Sequence, residues 1–233
     1  THLERQMGGF GTRAGAGETQ IEVDRRILRK RISNLKKKLK SIDSERRVQS
    51  KRRQSFFRTS FVGYTNVGKS SLMKAITKSD VLIKNQLFAT LDTTVRRLFI
   101  GNSNYVLMSD TVGFIRNLPN NLIASFKSTL QEVVDSNLLL IVLDASSKDL
   151  QNEIATIESV LKEIGANHID CQYIFNKIDK VDQDRIAYLK KSFPEAIMVS
   201  ATRALQLSNI KDIITDSHEA VSYTHLTLPT KRI

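Results

Sequence analysis

Residues 61–71 decide which fold we expect for the chain, and their sequence is Phe61-Val62-Gly63-Tyr64-Thr65-Asn66-Val67-Gly68-Lys69-Ser70-Ser71. A short apolar run precedes a glycine, four further residues, and then glycine, lysine and serine. The start of an apolar-periodic helix follows. Such a pattern can arise by chance as a glycine-rich turn before a lysine. A strand before it and a helix after it are, however, the context that a phosphate-binding loop requires.

Each part of this loop has a physical reason. Gly63 and Gly68 let the backbone turn tightly and bring its N–H groups close to phosphate oxygens, and Lys69 can reach the outer phosphates. The Ser70 hydroxyl can ligate Mg²⁺, while the following helix presents its positive N-terminus to the anion. We therefore predict that the residues from Gly63 to Ser71 bind a nucleotide.

Length and composition restrict the class of protein. The chain has 233 residues, of which 40% are hydrophobic and 26% charged, enough for one sizeable globular domain and an appendage. No apolar run approaches the roughly 20 residues of a membrane-spanning helix. The chain begins with Thr1 and has no signal-peptide pattern, so we expect a fragment of a longer protein. Its single cysteine, Cys171, excludes an internal disulfide and favours the reducing cytoplasm.

Charge is distributed very unevenly along the chain. Residues 1–60 contain 17 Lys and Arg against 6 Asp and Glu, a net charge of +11. Residues 61–233 contain 19 against 18, a net charge of +1. A nearly neutral body with a strongly basic arm indicates a polyanionic partner, and we expect this partner to be nucleic acid.

The basic arm, residues 1–57, is predicted to be part of a helical hairpin. Residues 1–7 resemble the end of a helix, and the glycine-rich segment 8–18 forms the tip. A long helix over about 20–55 follows, with a heptad seam at Leu28, Ile32, Leu35, Leu39 and Ile42. The alternative is an ordinary amphipathic linker helix with a solvated basic face. We favour the hairpin with its basic surface towards RNA.

Residues 58–217 alternate between strand and helix patterns, which predicts a mostly parallel six-stranded sheet with helices on both faces. The predicted strands are Phe56–Gly63, Val95–Ile100, Tyr105–Asp110, Leu138–Leu143, Cys171–Phe175 and Ile197–Val199. The predicted helices cover about 69–78, 120–135, 149–165, 182–192 and 207–215. The second and third strands should form an antiparallel hairpin. Residues 218–233 fit no pattern, and we expect a disordered or non-native tail.

Three further motifs follow in the order that a guanine-nucleotide switch requires. Asp110-Thr111-Val112-Gly113 ends the third strand, where Asp110 can hold Mg²⁺ and the Gly113 N–H can bond the γ-phosphate. Asn176-Lys177-Ile178-Asp179 ends the fifth strand, and Asp179 can accept two hydrogen bonds from guanine. Ser200-Ala201 follows the sixth strand, where a backbone N–H can meet the guanine O6.

Two positions near these motifs concern hydrolysis. The segment Phe88-Ala89-Thr90-Leu91-Asp92-Thr93-Thr94-Val95 lies before the second strand, and either Thr93 or Thr94 could complete the Mg²⁺ shell when the γ-phosphate is present. Phe114 follows Gly113, where such switches often carry a glutamine that orients water. Phenylalanine cannot bond that water, so we predict slow intrinsic hydrolysis that a partner accelerates.

With these residues in place, the chain resembles the HflX-type ribosome-associated GTPases of the Obg-related class from about residue 1 to 215. The characteristic matches, besides the loop at 63–70, are Gly8-Gly9-Phe10-Gly11-Thr12-Arg13, Gly17-Glu18-Thr19-Gln20, Asp24-Arg25-Arg26, Phe88-Ala89-Thr90-Leu91-Asp92 and Asp110-Thr111-Val112-Gly113-Phe114-Ile115-Arg116. The family usually has proline where this chain has Thr93, which makes Thr94 the match to the Mg²⁺-sensing threonine. We expect the family's N-terminal domain and first hairpin helix to lie outside this fragment.

The motifs predict an enzyme that binds GTP, GDP and Mg²⁺, and we expect a cytoplasmic monomer. The resemblance implies binding to ribosomal RNA of the large subunit, with the hairpin tip towards the peptidyl-transferase region. Ribosome splitting or rescue under stress, with hydrolysis stimulated by the ribosome, is the implied role. Two alternatives stay open from the residues themselves. One is an RNA-binding or assembly module in which hydrolysis is incidental, and the other is a P-loop ATPase.

Overall fold

The computed structural model describes residues 20–52, 55–78, 93–101, 104–111, 113 and 130–227. Several predictions lie outside these residues: the helix remnant 1–7, the tip 8–18, the segment 88–92, Phe114, the first part of the predicted helix 120–135 and residues 228–233. The chain divides into two compact units, Thr1–Arg47 and Val48–Ile233.

The first helix, α1, covers Gln20–Arg52 and is rich in lysine and arginine. It begins where the sequence predicts and ends three residues before the predicted position 55. Three residues of the predicted seam, Leu28, Ile32 and Leu35, are each more than half exposed. Despite the length of α1, no helix among the described residues is both long and apolar enough to cross a membrane.

The second unit alternates strands and helices. Its elements in chain order are β1 Arg58–Gly63, α2 Lys69–Thr77, β2 Thr94–Gly101, β3 Asn104–Asp110, β4 Leu138–Asp144, α3 Leu150–Glu163, β5 Asp170–Asn176, α4 Gln183–Ser192, β6 Ile197–Met198 and α5 Leu207–Thr227. A helical stretch at 130–134 precedes β4. A 3₁₀ turn, Ile178–Lys180, follows β5.

The strands form one six-stranded sheet in the order β2-β3-β1-β4-β5-β6. β2 pairs with β3 antiparallel, whereas β1, β3, β4, β5 and β6 pair in parallel. The predicted mostly parallel sheet and its antiparallel hairpin are therefore confirmed. The central strand β4 has an unbroken buried apolar run, Leu138–Leu143, as expected of a parallel strand covered on both faces.

Helices lie on both faces of the sheet, as contacts of Ser60 in β1 and of Phe57 just before it show, since side chains alternate between the two faces. On one face, the Phe57 ring packs edge-on against the His218 ring of α5, with centroids 5.6 Å apart. On the other face, the Ser60 hydroxyl donates to the Glu132 carbonyl at 3.2 Å and lies 2.7 Å from the Ser136 hydroxyl.

The last helix corrects a prediction. The sequence pattern places the end of α5 at residue 215 and a disordered tail over 218–233, yet the helix continues to Thr227. Ile210 and Ile214 are fully buried, and Val221 packs against the same core two turns later. Since the apolar stripe continues at helical spacing, the first part of the expected tail is helical.

The topology brings the sequence motifs to one edge of the sheet. β1 lies between β3 and β4, and the strand order reverses at this point. In open sheets of this kind, ligands bind outside the carboxyl ends of the strands at such a reversal. The loop 63–68, Asp110, Asn176 and Ser200 all lie at or just beyond carboxyl ends of parallel strands.

Candidate nucleotide-binding site

The loop between β1 and α2 has a backbone that only certain residues can follow. Gly68 precedes the first residue of α2 with φ of 98°, a conformation that residues with a Cβ rarely adopt. A Cβ at Gly68 would lie 2.3 Å from the Asn176 amide nitrogen. The first turn of α2 carries no acidic side chain. Its N–H groups and positive dipole end therefore suit an anion.

Lys69 lies inside this loop rather than at the surface. Its Nζ donates to the carbonyl oxygens of Gly63 at 3.1 Å and Tyr64 at 2.9 Å. Burial lowers the pKa of the Lys69 ammonium to about 8, and the negative charge of Asp110 offsets this only in part. A buried ammonium with so little compensation has a strong electrostatic preference for a phosphate group.

This low pKa predicts that nucleotide binding takes up protons. At pH 8.0 about half of the Lys69 side chains are neutral in the free protein, and bound phosphates raise the pKa because they favour the charged form. Binding at pH 8.0 should therefore take up about half a proton, and affinity should fall as pH rises above 8. Calorimetric titration with GDP in two buffers of different ionisation enthalpy measures this uptake.

Titration at pH 7.0 is the internal control for the Lys69 prediction. Lysine with a pKa of about 8 is already mostly charged there, so the uptake should fall to about a tenth of a proton. Equal proton uptake at both pH values, or proton release at pH 8.0, would contradict the assignment to Lys69.

Ser70 and Asp110 form the predicted metal-binding pair. The Ser70 hydroxyl donates to the Asp110 carboxylate at 2.5 Å, and Asp110 is fully buried at the end of β3. Thr94 begins β2 directly opposite Asp110 in the antiparallel register. These hydroxyl and carboxylate oxygens are donors that Mg²⁺ prefers, so they fit the ion that this class of fold implies.

No group of three or more histidine, cysteine, aspartate or glutamate side chains among the described residues could hold a metal ion. A magnesium ion in this site would depend on the oxygens of Ser70, Thr94 and Asp110 and on the nucleotide phosphates.

Gly113 lies against the loop that follows β1. A Cβ at this position would come within 2.7 Å of the Thr65 Cα atom, so only glycine allows this approach. Thr111, two residues before Gly113, has a buried hydroxyl that donates to the Phe61 carbonyl at 2.6 Å. The predicted γ-phosphate reader is thus close to the phosphate-binding loop.

Asn176 joins the two predicted halves of the site. Its side-chain amide donates to the Val67 carbonyl at 2.8 Å, and its side-chain oxygen accepts from the Ala201 N–H at 3.0 Å. The side chain is almost completely buried. Since both polar atoms have partners within the protein, Asn176 links the phosphate-binding loop to the segment after β6.

Two charged residues follow Asn176 on the side predicted to bind the base. Lys177 has φ of 64°, and its Nζ donates to the Asn66 carbonyl and to the Asp144 carboxylate, each at 2.7 Å. Asp179 accepts a hydrogen bond from the Ser200 hydroxyl. This bond lowers the pKa of the Asp179 carboxyl below its usual range, against a smaller effect of burial. Asp179 is therefore a carboxylate, and so a hydrogen-bond acceptor, at neutral pH.

The described candidate residues lie together at this edge of the sheet, but they contribute differently. Tyr64 and Val67 have side chains in the core and offer their backbones to the site. Thr94 is placed near Asp110 by its strand register. The remaining members have side chains or backbone groups in the contacts given above: Gly63, Thr65, Asn66, Gly68, Lys69, Ser70, Asp110, Gly113, Asn176, Lys177, Asp179, Ser200 and Ala201. Ser71 follows in the first turn of α2.

Sequence reasoning missed Asp144 and Arg185. Asp144 ends β4, and its carboxylate forms an ion pair with Lys177 at 2.7 Å. Arg185 donates to the carbonyl oxygens of Ala145 at 3.2 Å and Ser147 at 2.7 Å. A usable signal for Asp144 existed, because it directly follows a buried apolar run and ends its strand, just as Asp110 ends β3. Arg185 had no such signal.

The fold and these motifs define a P-loop GTPase domain. Residues 58–177 match the model of the 50S ribosome-binding GTPase family, and residues 1–53 match that of the GTP-binding GTPase middle region. The chain belongs to the 50S ribosome-binding GTPase family and, within it, to the HflX type that its motifs resemble.

Similar proteins named GTPase HflX occur in several bacteria. The one from Flavobacterium psychrophilum is 54% identical over 179 residues, covering 77% of this chain and 43% of that protein. The one from Escherichia coli K12 is 41% identical over 235 aligned positions, covering 98% of this chain and 55% of that protein. The chain thus spans about half the length of the curated relatives it matches.

Two solved structures illustrate the structural likeness. A GTP-binding protein from Sulfolobus solfataricus, in complex with GDP, is 26% identical with a TM-score of 0.57, over 84% of this chain and 60% of that one. A variant of Era from Aquifex aeolicus, bound to GDP and AlF4⁻, has a TM-score of 0.58 at 20% identity, over 69% of this chain and 56% of that one. The second likeness concerns the fold alone.

Proposed function

We propose that this chain binds GTP and GDP and hydrolyses GTP to GDP and phosphate. The observation that carries the proposal is the convergence of two motifs distant in sequence. Asn176 and Lys177 donate to carbonyl oxygens of the phosphate-binding loop, and Asp179 follows on the same turn with an ionised carboxylate. A base selector fixed to a phosphate-binding loop suits a guanine nucleotide.

In this proposal, the protein acts by positioning the phosphates and neutralising their charge. Lys69 stabilises the charge on the β- and γ-phosphates, and the N–H groups of the loop and of α2 surround the same oxygens. Gly113 offers its N–H to the γ-phosphate. On the other side, Asp179 accepts from the guanine N1–H and amine, while the Ala201 N–H, which donates to Asn176, would be shared with the guanine O6.

Ser70, Thr94 and Asp110 are the residues that would hold Mg²⁺. Bound there, the ion would supply positive charge that offsets the negative charge developing on the phosphates during transfer. The 2.5 Å hydrogen bond between Ser70 and Asp110 already holds the two side chains together. Thr94 would make this metal site depend on the γ-phosphate, as switch segments ordered by the γ-phosphate and Mg²⁺ do in other GTPases.

Hydrolysis is proposed to be slow in the isolated protein and faster on a partner. Phe114 occupies the position after Gly113 where a polar residue would orient the attacking water, and we assign no catalytic base within the chain. A partner that supplies or positions the missing polar group would accelerate the reaction.

The partner proposed here is the large ribosomal subunit, and ribosomal RNA is bound through the basic residues 1–60. Support comes from the net charge of +11 on this arm and from membership of the family. Coupling of the GTP cycle to ribosome dissociation or rescue under stress is the finer form of the proposal, with the protein acting as a cytoplasmic monomer. The segment 8–18 would be the part that reaches furthest into the subunit.

Phosphate release with and without purified subunits tests this function. Addition of large subunits is expected to raise the rate of phosphate release from GTP by about tenfold or more, since supplied charge or water positioning has effects of this size or greater. Small subunits at the same concentration are the control. If the rate of phosphate release is the same without subunits, with large subunits and with small subunits, the proposal of a ribosome-stimulated enzyme is contradicted.

Salt dependence tests the role of the arm. If six to ten phosphates are contacted, binding to large subunits should weaken by about 10³ to 10⁵ between 50 and 200 mM salt. Sedimentation with subunits in the presence of GTP analogue or GDP measures this. A salt-independent interaction would contradict the proposed use of residues 1–60.

A second function, a nucleotide-gated RNA-binding or assembly module, is supported by the same concentration of basic residues in 1–60. In that case the GTP analogue and GDP would give different binding to large subunits. Phosphate release would stay at its unstimulated rate. The two measurements above therefore separate this function from the first.

A further inference from the structure

Both oxygens of the Asp144 carboxylate accept hydrogen bonds. One oxygen accepts from the Ser146 N–H at 3.0 Å and from the Ser146 hydroxyl at 2.7 Å. The other oxygen accepts from Lys177 Nζ at 2.7 Å, and both charged side chains are about four-fifths buried. Burial alone would raise the pKa of Asp144, but the hydrogen bonds from Lys177 and Ser146 hold it below its usual range.

The Lys177 ammonium is thereby fixed between two acceptors. Its ammonium lies between Asp144 and the carbonyl oxygen of Asn66 in the phosphate-binding loop. A lysine side chain loses conformational entropy when it is fixed in one position. Because this ordering occurs within the protein, a ligand that packs along the Lys177 side chain does not have to supply it.

We propose that Asp144 is a positioning residue for guanine-nucleotide recognition, acting through Lys177. It fixes the lysine side chain between β4 and the phosphate-binding loop, so that the extended methylene stem forms one wall of the base pocket. The inference rests on the proposed function, because it assigns a role within the same nucleotide site.

The backbone around Asp144 is held in place by strand pairing and hydrogen bonds. Asp144 lies opposite Asn176 in the parallel register of β4 and β5, and the next N–H, that of Ala145, donates to the Asn176 carbonyl at 2.9 Å. Arg185 holds the following turn through the carbonyl oxygens of Ala145 and Ser147. The carboxylate therefore has a fixed position from which to orient Lys177.

The charge of Asp144 distinguishes a positioning role from a purely electrostatic one, because the two roles predict opposite changes in nucleotide affinity. A nucleotide is a polyanion, so a carboxylate near it opposes binding through space. If Asp144 acted only as a nearby charge, its neutralisation would strengthen nucleotide binding. If Asp144 positions Lys177, its neutralisation weakens binding in spite of the more favourable overall charge.

The test measures the affinity of GTP and GDP for four variants of the full chain. Asp144→Asn is expected to weaken both nucleotides by about tenfold and to leave their ratio unchanged, as loss of an outer-shell orienting group does elsewhere. Asp149→Asn is the matched control, because it removes the same charge from the same loop at a residue whose side chain bonds Asn152. Its affinity should stay within about twofold of the parent.

A double-mutant cycle with Lys177→Met separates positioning from general damage to the fold. In the Lys177→Met background, Asp144→Asn should cause no further loss, and removal of its charge should leave affinity equal or slightly higher. A loss of similar size in both backgrounds would overturn the inference, as would unweakened binding by Asp144→Asn alone.

The parent chain distinguishes the two levels of proposal. If it binds neither GTP nor GDP, the proposed function fails and the role of Asp144 fails with it. If the parent binds both nucleotides and Asp144→Asn binds them equally well, only the positioning role is overturned.

Discussion

Replacement of Asp179 with asparagine is expected to lower GTP affinity by about a hundredfold or more and to create affinity for xanthosine triphosphate. The Asp179 carboxylate is oriented by the hydrogen bond from Ser200 and is ionised at neutral pH. Guanine presents two donors, N1–H and the amine, to this acceptor. An asparagine amide offers one acceptor and one donor, which leaves a guanine donor unpaired but matches xanthine, and unpaired polar groups of this kind produce large discrimination.

Competition between a fluorescent guanine nucleotide and unlabelled GTP, xanthosine triphosphate and ATP measures this exchange. Asp182→Asn is a suitable control, because Asp182 is a nearby acid that caps α4 by accepting from the Arg185 N–H. Asparagine caps helices equally well, so the control removes a charge with little structural effect. Unchanged GTP affinity in Asp179→Asn would reject the base assignment, and preference for ATP would support the P-loop ATPase alternative.

A second large effect is expected at Gly68, where alanine should reduce nucleotide affinity by about a hundredfold or more. The added Cβ would lie 2.3 Å from the Asn176 amide nitrogen, at a φ of 98° that alanine rarely adopts. Asn176 would have to move and would lose its hydrogen bonds to Val67 and Ala201. The substitution would thus disturb the phosphate-binding and base-binding sides together.

Gly165→Ala is a control that introduces the backbone strain of a positive φ without the steric clash expected at Gly68. Gly165 has φ of 79°, and a Cβ added there would have no heavy atom within 4 Å, so alanine encounters only the strain of the left-handed conformation. It should lower the free energy of unfolding by about 1 to 2 kcal/mol without altering nucleotide affinity. Thermal unfolding and titration of both variants test the comparison, and parent-like nucleotide binding by Gly68→Ala would contradict it.

The fold was predictable because its signals are local. Leu138–Leu143 is a continuous apolar run, which indicates a covered parallel strand before any partner is known. The glycine, lysine and serine residues of the loop at 63–70 lie within eight residues of each other, so their conformational and chemical roles can be inferred without knowledge of the tertiary structure. Alternation of such strands with helical patterns then leaves few arrangements of the sheet.

Features that depend on strand register or on docking were not predictable in this way. The pairing of Asp144 with Lys177 follows from the alignment of β4 with β5, which no local pattern specifies. The continuation of α5 beyond residue 215 depends on where Val221 and His218 pack. The His218 ring contacts the Phe57 ring, which is 161 residues earlier in the sequence. Segment composition alone suggests a disordered tail.

The two hydrogen bonds of the Asn176 side chain also have a consequence for the order in which the protein matures. One reaches back 109 residues to Val67, and the other reaches forward 25 residues to Ala201. Domains emerge from the ribosome starting at the N-terminus, so a nascent chain has its complete phosphate-binding loop long before it has the residues that brace it. The newly made protein therefore acquires its full nucleotide site only when nearly the whole domain has been synthesised.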